Sequence, residues 1–252
     1  MGKYFKKFET EAQYTAAKSG LILPNVSLVT ENYKVYYNPL NPTPPTPSHD
    51  YVEIGGIKWA TMNVGANSVT DAGLYFQWGD TNGYTDEQIG DGEGQKVFSL
   101  DDYKYYDTES WEYTKYNDED GLITLQTGDD AVTAAWGGNW RMPTISEFAN
   151  LGEAVNTVWT DDYQDSGIAG LICTDKTDSS KVLFFPACGY ASDGYVRETN
   201  SNGYYWSSGL SNYDVVSATP LRFYDGFVNL DAISSDYIER YYGILARGVL
   251  DE

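Results

Sequence analysis

The sequence predicts an α+β domain, and three observations predict it. Two stretches, Ala131 to Trp136 and Ile145 onward, carry apolar residues at helical spacing behind N-cap signals. Many short runs are rich in aromatic and β-branched residues, as antiparallel strands are. Gly, Asn, Ser and Asp fill the gaps between those runs. With 252 residues, 41 % of them hydrophobic, the chain can bury one large core and still carry an appendage.

From the start, Glu9 to Ser19 reads as a short helix closed by Gly20, followed by two strands, Val26 to Val29 and Tyr33 to Tyr37. Residues 39–50, PLNPTPPTPSHD, hold five prolines in twelve positions and favour an extended, semi-rigid spacer. This divides the chain into a head at 1–38, a linker at 39–50 and a main domain at 51–252. A head that small has little core of its own. It is expected to act as an attachment element, a helix and a hairpin that assemble with copies of the chain or with a partner.

In the main domain, Val52 to Trp59 predicts a hairpin turning at Gly55-Gly56, and Leu74 to Trp78 a further strand. Residues 80–130 hold fifteen acids against three lysines, mostly in loop chemistry, and read as a solvated acidic face. Asp129 and Asp130 offer an N-cap for the helix Ala131 to Trp136, which Gly137-Gly138 ends. Thr144 and Glu147 form a capping box, with Ile145, Phe148, Leu151 and Val155 on one helical face. Capping does not account for Trp140 and Arg141; a buried arginine holding backbone carbonyls does. Strands are expected at Ile168 to Cys173, Val182 to Ala187, Tyr204 to Ser207, Ala218 to Phe223, Phe227 to Leu230 and Tyr242 to Val249.

The net charge of −21 repels phosphates and anionic lipid, which argues against nucleic acid and membrane surfaces as partners. No run approaches the roughly 20 apolar residues of a membrane span. The opening MGKYFKKFETEAQ has basic residues without an apolar core, so it is not read as a signal peptide. The two cysteines end neighbouring strands. In a hairpin around Asp175 to Ser180, Cys173 lies opposite about Val182, and Cys188 sits about 20 Å further along at roughly 3.3 Å per residue. That is beyond disulfide reach. Two separate buried thiols are expected, with no metal site at that spacing. His49 is the only histidine and falls in the linker, which leaves little for a Ser-His-Asp arrangement.

Several segments together resemble one family: IGGIKWATMNVGA (54–66), YFQWGDT (75–81), DDAVTAAWGGNWRMPTISEFANL (129–151), LFFPACGY (183–190), GYYWSS (203–208) and LARGV (245–249). In this order they resemble the Fibrobacter succinogenes major paralogous domain of gut Bacteroidetes and their phages, over about residues 51 to 250. The resemblance implies a C-type-lectin-like fold, shared with formylglycine-generating enzymes. WRMPTISEF would then be the joint leading into a core helix. The head more weakly resembles N-terminal segments of surface and structural proteins from the same sources. The enzymatic cousins need a cysteine near the C-terminal end, where this chain reads Ala246-Arg247-Gly248-Val249. No enzymatic activity is therefore expected. The Glu-Pro-Asn, Gln-Pro-Asp and Trp-Asn-Asp motifs by which sugar-binding relatives hold calcium are absent from the sequence. No cofactor is expected; an unusual calcium site among Asp118, Glu119 and Asp120 stays open.

What remains is binding. From Gly189 to Tyr242 there are nine tyrosines among Ser, Asn, Asp and Arg, the composition of a recognition surface. The candidate contact residues are Tyr195, Arg197, Tyr213, Asp214, Arg222, Tyr224, Asp225, Phe227, Asn229, Tyr237, Tyr241 and Tyr242. Strand alternation places Arg222 and Tyr224, with Asp225, opposite Leu221 and Phe223. The resemblance also implies that a diversity-generating retroelement rewrites this stretch while sparing scaffold residues such as Trp206, Ser207, Leu221 and Phe223. The expectation is a display protein, an adhesin or phage receptor-binding protein. It would face outward on a phage particle or bacterial surface and bind a cell-surface protein or glycan. The alternative is a structural decoration module with a fixed surface.

Overall fold

The computed structural model describes residues 4–7, 27–29, 34–37, 49–227 and 237–252. The chain divides into two compact units, Met1–Ser48 and His49–Glu252. The first contains a three-stranded antiparallel sheet of β1 (Tyr4–Lys7), β2 (Ser27–Val29) and β3 (Lys34–Tyr37), with β3 central. The two strands read from the sequence are β2 and β3, with Leu28 opposite Val35. The strand β1, which was not foreseen, pairs along the other edge of β3. The helix expected at Glu9 to Ser19 and the proline run up to residue 48 lie outside the described residues.

The second unit is mixed α+β and mostly sheet. It opens with β4 (Tyr51–Ile54) and β5 (Ile57–Asn63), with Ile54 opposite Ile57. Gly55 and Gly56 sit at φ +60° and +77°, the left-handed pair that a two-residue primed turn requires. The next strand is only β6 (Tyr75–Phe76), shorter than expected, because the amide of Trp78 already turns away to the Arg240 carbonyl at 2.9 Å. After the acidic segment, with its small hairpin β7 (Tyr106–Asp107) and β8 (Glu112–Tyr113), come two helices, α1 (Ala131–Trp136) and α2 (Ile145–Ala154). They flank β9 (Trp140–Arg141), and no other α-helix occurs among the described residues.

Both helix starts follow from local chemistry. Asp130 accepts from the Thr133 amide at 2.9 Å, and the Thr144–Glu147 capping box is closed in both directions. The helical face ends one residue earlier than its spacing suggests: Val155 is buried with Phe148 and Leu151 but already begins β10 (Val155–Thr160). That strand forms an antiparallel sheet with β11 (Gly170–Asp175) and β12 (Val182–Pro186). Cys173 faces Leu183, one residue from the expected Val182. Both cysteines are free and buried, and burial pushes each thiol up to about 12.

A small hairpin follows, β13 (Tyr190–Ser192) with β14 (Tyr195–Arg197), and then the long pair β15 (Asn202–Leu210) and β16 (Ser217–Tyr224). The chain ends in β17 (Ile238–Glu239), β18 (Ile244–Leu245) and β19 (Arg247–Leu250). The single strand expected from Tyr242 to Val249 is thus broken at Ala246. There the chain passes from a five-stranded sheet, β17-β16-β15-β18-β6, to a four-stranded one, β4-β5-β19-β9. The Ala246 carbonyl accepts from the Val64 amide at 2.9 Å, which fixes that crossing point.

The pair β15–β16 partitions the interior. Tyr205, Leu221 and Phe223 point into one cluster with Phe148, Leu171 and Phe185. Tyr204, Trp206 and Ala218 point into the other with Trp78, Tyr103 and Tyr116. Each such side chain removed from water contributes roughly 1.5–3 kcal/mol. The polar tips are satisfied across elements: Trp206 Nε1 donates to the Phe76 carbonyl at 2.8 Å and Trp78 Nε1 to that of Ser207 at 2.9 Å. Gly203 leaves room for its cross-strand partner, since a Cβ there would lie 2.0 Å from the Phe223 ring.

Arginines join the pieces, in an arrangement unlike the expected one. Arg141 holds one carbonyl, that of Met142 at 3.1 Å, but it is not a buried clamp on several. It is half-buried and grips Glu147 with both terminal nitrogens, at 2.8 and 2.6 Å, and Asp251 at 2.8 Å. The clamp on carbonyls is Arg247, fully buried, which donates to Asn63 Oδ1 and to the carbonyls of Ala60, Thr61 and Phe184. Arg240, also fully buried, lies 4.1 Å from the Tyr113 ring and donates to the Lys115 and Tyr116 carbonyls.

Candidate binding surface

The surface begins with the alternation along β16. Leu221 and Phe223 are fully buried, while Arg222 is half-buried and Tyr224 is exposed. Pairing with β15 puts Asn202 opposite Tyr224 and Tyr204 opposite Arg222. The Arg222 guanidinium lies 5.3 Å from the rings of both Tyr204 and Tyr224, and its Nη2 donates to Asn202 Oδ1 at 3.4 Å. Tyr224 stacks on Phe227 at 5.3 Å, and their backbones exchange two hydrogen bonds around Asp225 and Gly226.

Beside this group lies an open hollow of about 470 Å³. It is lined by Arg222, Tyr224 and Asp225, by Trp159 and Asp161 at the end of β10, and by residues 200–202. Trp159 Nε1 donates to Asp161 Oδ1 at 2.8 Å, and its ring meets Phe223 edge-on at 6.4 Å. Asn200 is held by the Ala169 amide, at 3.0 Å. The sequence reading missed Trp159, Asp161 and Asn200 to Asn202. The signal for Trp159 was the strand pattern VNTVWT, hidden because Val155 continues the helical spacing of Phe148 and Leu151.

A second group sits at the other end of β16, about 23 Å away at roughly 3.3 Å per residue. Ser211 Oγ accepts from the amides of Tyr213 and Asp214, and Asp214 Oδ1 accepts from those of Val216 and Ser217. Asp214 is therefore committed to building the turn. The turn lifts Tyr213 to 78 % exposure, with its ring edge-on to Tyr237 at 5.0 Å. Ile123 and Val216 add exposed apolar surface there: the Ile123 carbonyl accepts from the Leu210 amide, just before the turn.

The remaining candidates belong to neither end. Tyr195 is 57 % exposed on β14, with Arg197 over its ring at 5.4 Å; Arg197 Nε donates to Ser192 Oγ. Tyr241 and Tyr242 are half-buried. Tyr242 stacks on Tyr190 at 5.4 Å, which meets Tyr204 edge-on at 5.3 Å. Burial first, then the nearby Glu239 carboxylate, pushes the Tyr242 hydroxyl up to about 12. These two rings brace the outer side of the sheet more than they open onto solvent. Asn229, and the strand expected from Phe227 to Leu230 beyond Phe227, lie outside the described residues.

The acidic segment is only partly a solvated face. Asp120 accepts from the amides of Tyr116, Asn117 and Leu122, and Asp102 pairs with Lys96 at 3.0 Å. Asp129, nearly buried, takes bonds from Lys104, Lys115, Tyr105 and Tyr116. Burial raises its pKa, but those four donors outweigh burial and hold the carboxyl well below the usual range. Among the described residues no group of three His, Cys, Asp or Glu side chains is arranged to hold a metal ion. His49 stacks on Trp136 at 4.0 Å and meets Trp140 edge-on at 5.9 Å, its Nε2 buried without a partner. Burial lowers its pKa, opposed by Asp50. No helix among the described residues is long and apolar enough to cross a membrane. No family model, curated protein or solved structure matches the chain.

Proposed function

We propose that the chain is a binding protein of the display type, an adhesin or a phage receptor-binding protein. On this reading its second unit is a C-type-lectin-like domain related to the Fibrobacter succinogenes major paralogous domain. The head and proline run hold that domain outward on a particle or cell, and the C-terminal Tyr-rich surface meets a protein or glycan target. One observation carries the reading: within one continuous stretch, exposure alternates sharply with burial. Tyr195, Tyr213 and Tyr224 are 57, 78 and 37 % exposed, whereas Trp206, Leu221 and Phe223, interleaved with them, are fully buried. Exposed tyrosines offer large contact area at low entropic cost, and buried neighbours keep the scaffold indifferent to changes at the exposed positions.

Sequencing the 3′ coding end of this gene across related isolates tests the reading. Substitutions clustered at adenine positions encoding residues 192–242, sparing Trp206 and Phe223, are expected. A uniform 3′ end would sink the diversified surface and favour a fixed decoration module. In binding assays Tyr213→Ala combined with Tyr224→Ala should abolish target capture without unfolding the chain.

A further inference from the structure

We propose that the hollow between Trp159 and Tyr224 is a subsite for one neutral sugar unit of a glycan; this rests on the binding reading above and deepens it. A pyranose presents an apolar C–H face on one side and a rim of hydroxyls that both donate and accept. A site for it needs an aromatic ring set at a fixed angle and planar polar side chains around the ring's edge. The hollow holds both. Trp159 is fixed in plane by its bond to Asp161 and backed by Phe223 at 6.4 Å. Asp161 and Asp225 line the space and carry carboxylate acceptors. Asn202, whose side-chain amide carries both a donor and an acceptor, also lines the space, and its Oδ1 accepts from Arg222 at 3.4 Å. A volume of about 470 Å³ has room for one pyranose ring and lies within the roughly 300–1,000 Å³ of small-ligand sites.

Charge narrows the class. Among the described residues two carboxylates, Asp161 and Asp225, and one guanidinium, Arg222, line the hollow, on a chain of net charge −21. An anionic sugar would bring a further negative charge into that field, so a sialylated or uronate-bearing glycan is disfavoured. A neutral hexose or N-acetylhexosamine meets the carboxylates with hydroxyl donors instead.

The test is an array of neutral, sialylated and uronate-bearing glycans probed with the full chain, followed by saturation-transfer NMR with the free monosaccharides. Retention of neutral glycans is expected, weakened at least tenfold by Trp159→Ala and by Asp225→Asn and unchanged by Trp111→Ala, which removes an exposed tryptophan elsewhere. Asp225→Asn removes no packing, so its loss of binding cannot be ascribed to a damaged core. Retention of anionic glycans alone, neutral binding untouched by both hollow variants, or no glycan retained at all would overturn the proposal. A target cell surface still bound after periodate oxidation of its sugars, with binding lost in the Tyr213→Ala/Tyr224→Ala variant, would overturn the sugar subsite while leaving the binding reading standing. A chain that binds neither glycans nor any cell surface would remove both.

Discussion

Arg247 Nε donates to Asn63 Oδ1 at 2.8 Å across 184 residues of chain, with both side chains out of water. This bond ties the last strand of the unit to its second, and the other nitrogens of the same guanidinium hold the carbonyls of Ala60, Thr61 and Phe184. Four acceptors from two sheets thus depend on one planar group. Arg247→Lys keeps the charge but cannot span them, and Arg247→Met leaves the acceptors unpaired. Either should cost about 3–5 kcal/mol, read as a lowered urea midpoint. A midpoint within error of the parent chain would show that the clamp is dispensable.

Asp129 links stability to pH. Its carboxyl is held below the value of 3.8 that it has when unfolded, so folding favours the ionised form. Its contribution is therefore complete above about pH 5 and declines as pH falls through 3.8 toward the lower folded value. Urea unfolding between pH 5.5 and 3 should show a fall in stability that Asp129→Asn flattens. An equally steep fall in the variant would place the acid sensitivity at other carboxylates.

The two thiols should be silent in the native protein. Both are buried, and burial pushes each up to about 12, so almost no thiolate exists at neutral pH. Ellman's reagent should titrate neither without denaturant and both with it. Prompt native labelling of Cys188 would mean that the sheet around it opens readily.

Gly203→Ala examines the partition itself. The added methyl meets the Phe223 ring at 2.0 Å, and Phe223 is packed against Trp159, Phe185 and Tyr205. A loss of roughly 1–3 kcal/mol is expected from overpacking, visible as a lowered melting temperature. An unchanged melting temperature would mean that the ring can move aside.

What the sequence determined by itself was local. The Gly55-Gly56 turn, the Asp130 cap, the Thr144–Glu147 box and the in–out alternation of Leu221 to Tyr224 each depend on residues within a few positions of one another. Steric and hydrogen-bonding rules at that range leave few options. The candidate tyrosines were legible as surface where a strand or turn set their direction, as at Tyr213 and Tyr224. They were not legible as groups, because nothing along the chain says that Tyr213 and Tyr224 end up at opposite ends of one strand. Tertiary structure alone decided that Arg247 rather than Arg141 is the buried clamp on several carbonyls: a guanidinium takes whichever acceptors long-range strand pairing brings to it. Packing of one sheet beside another likewise brought Trp159 near Arg222, and so made a hollow from three stretches, 159–161, 200–202 and 222–225, that share no pattern. A strand's periodicity encodes which way a side chain points, but the partner it points at depends on the free energy of the whole core.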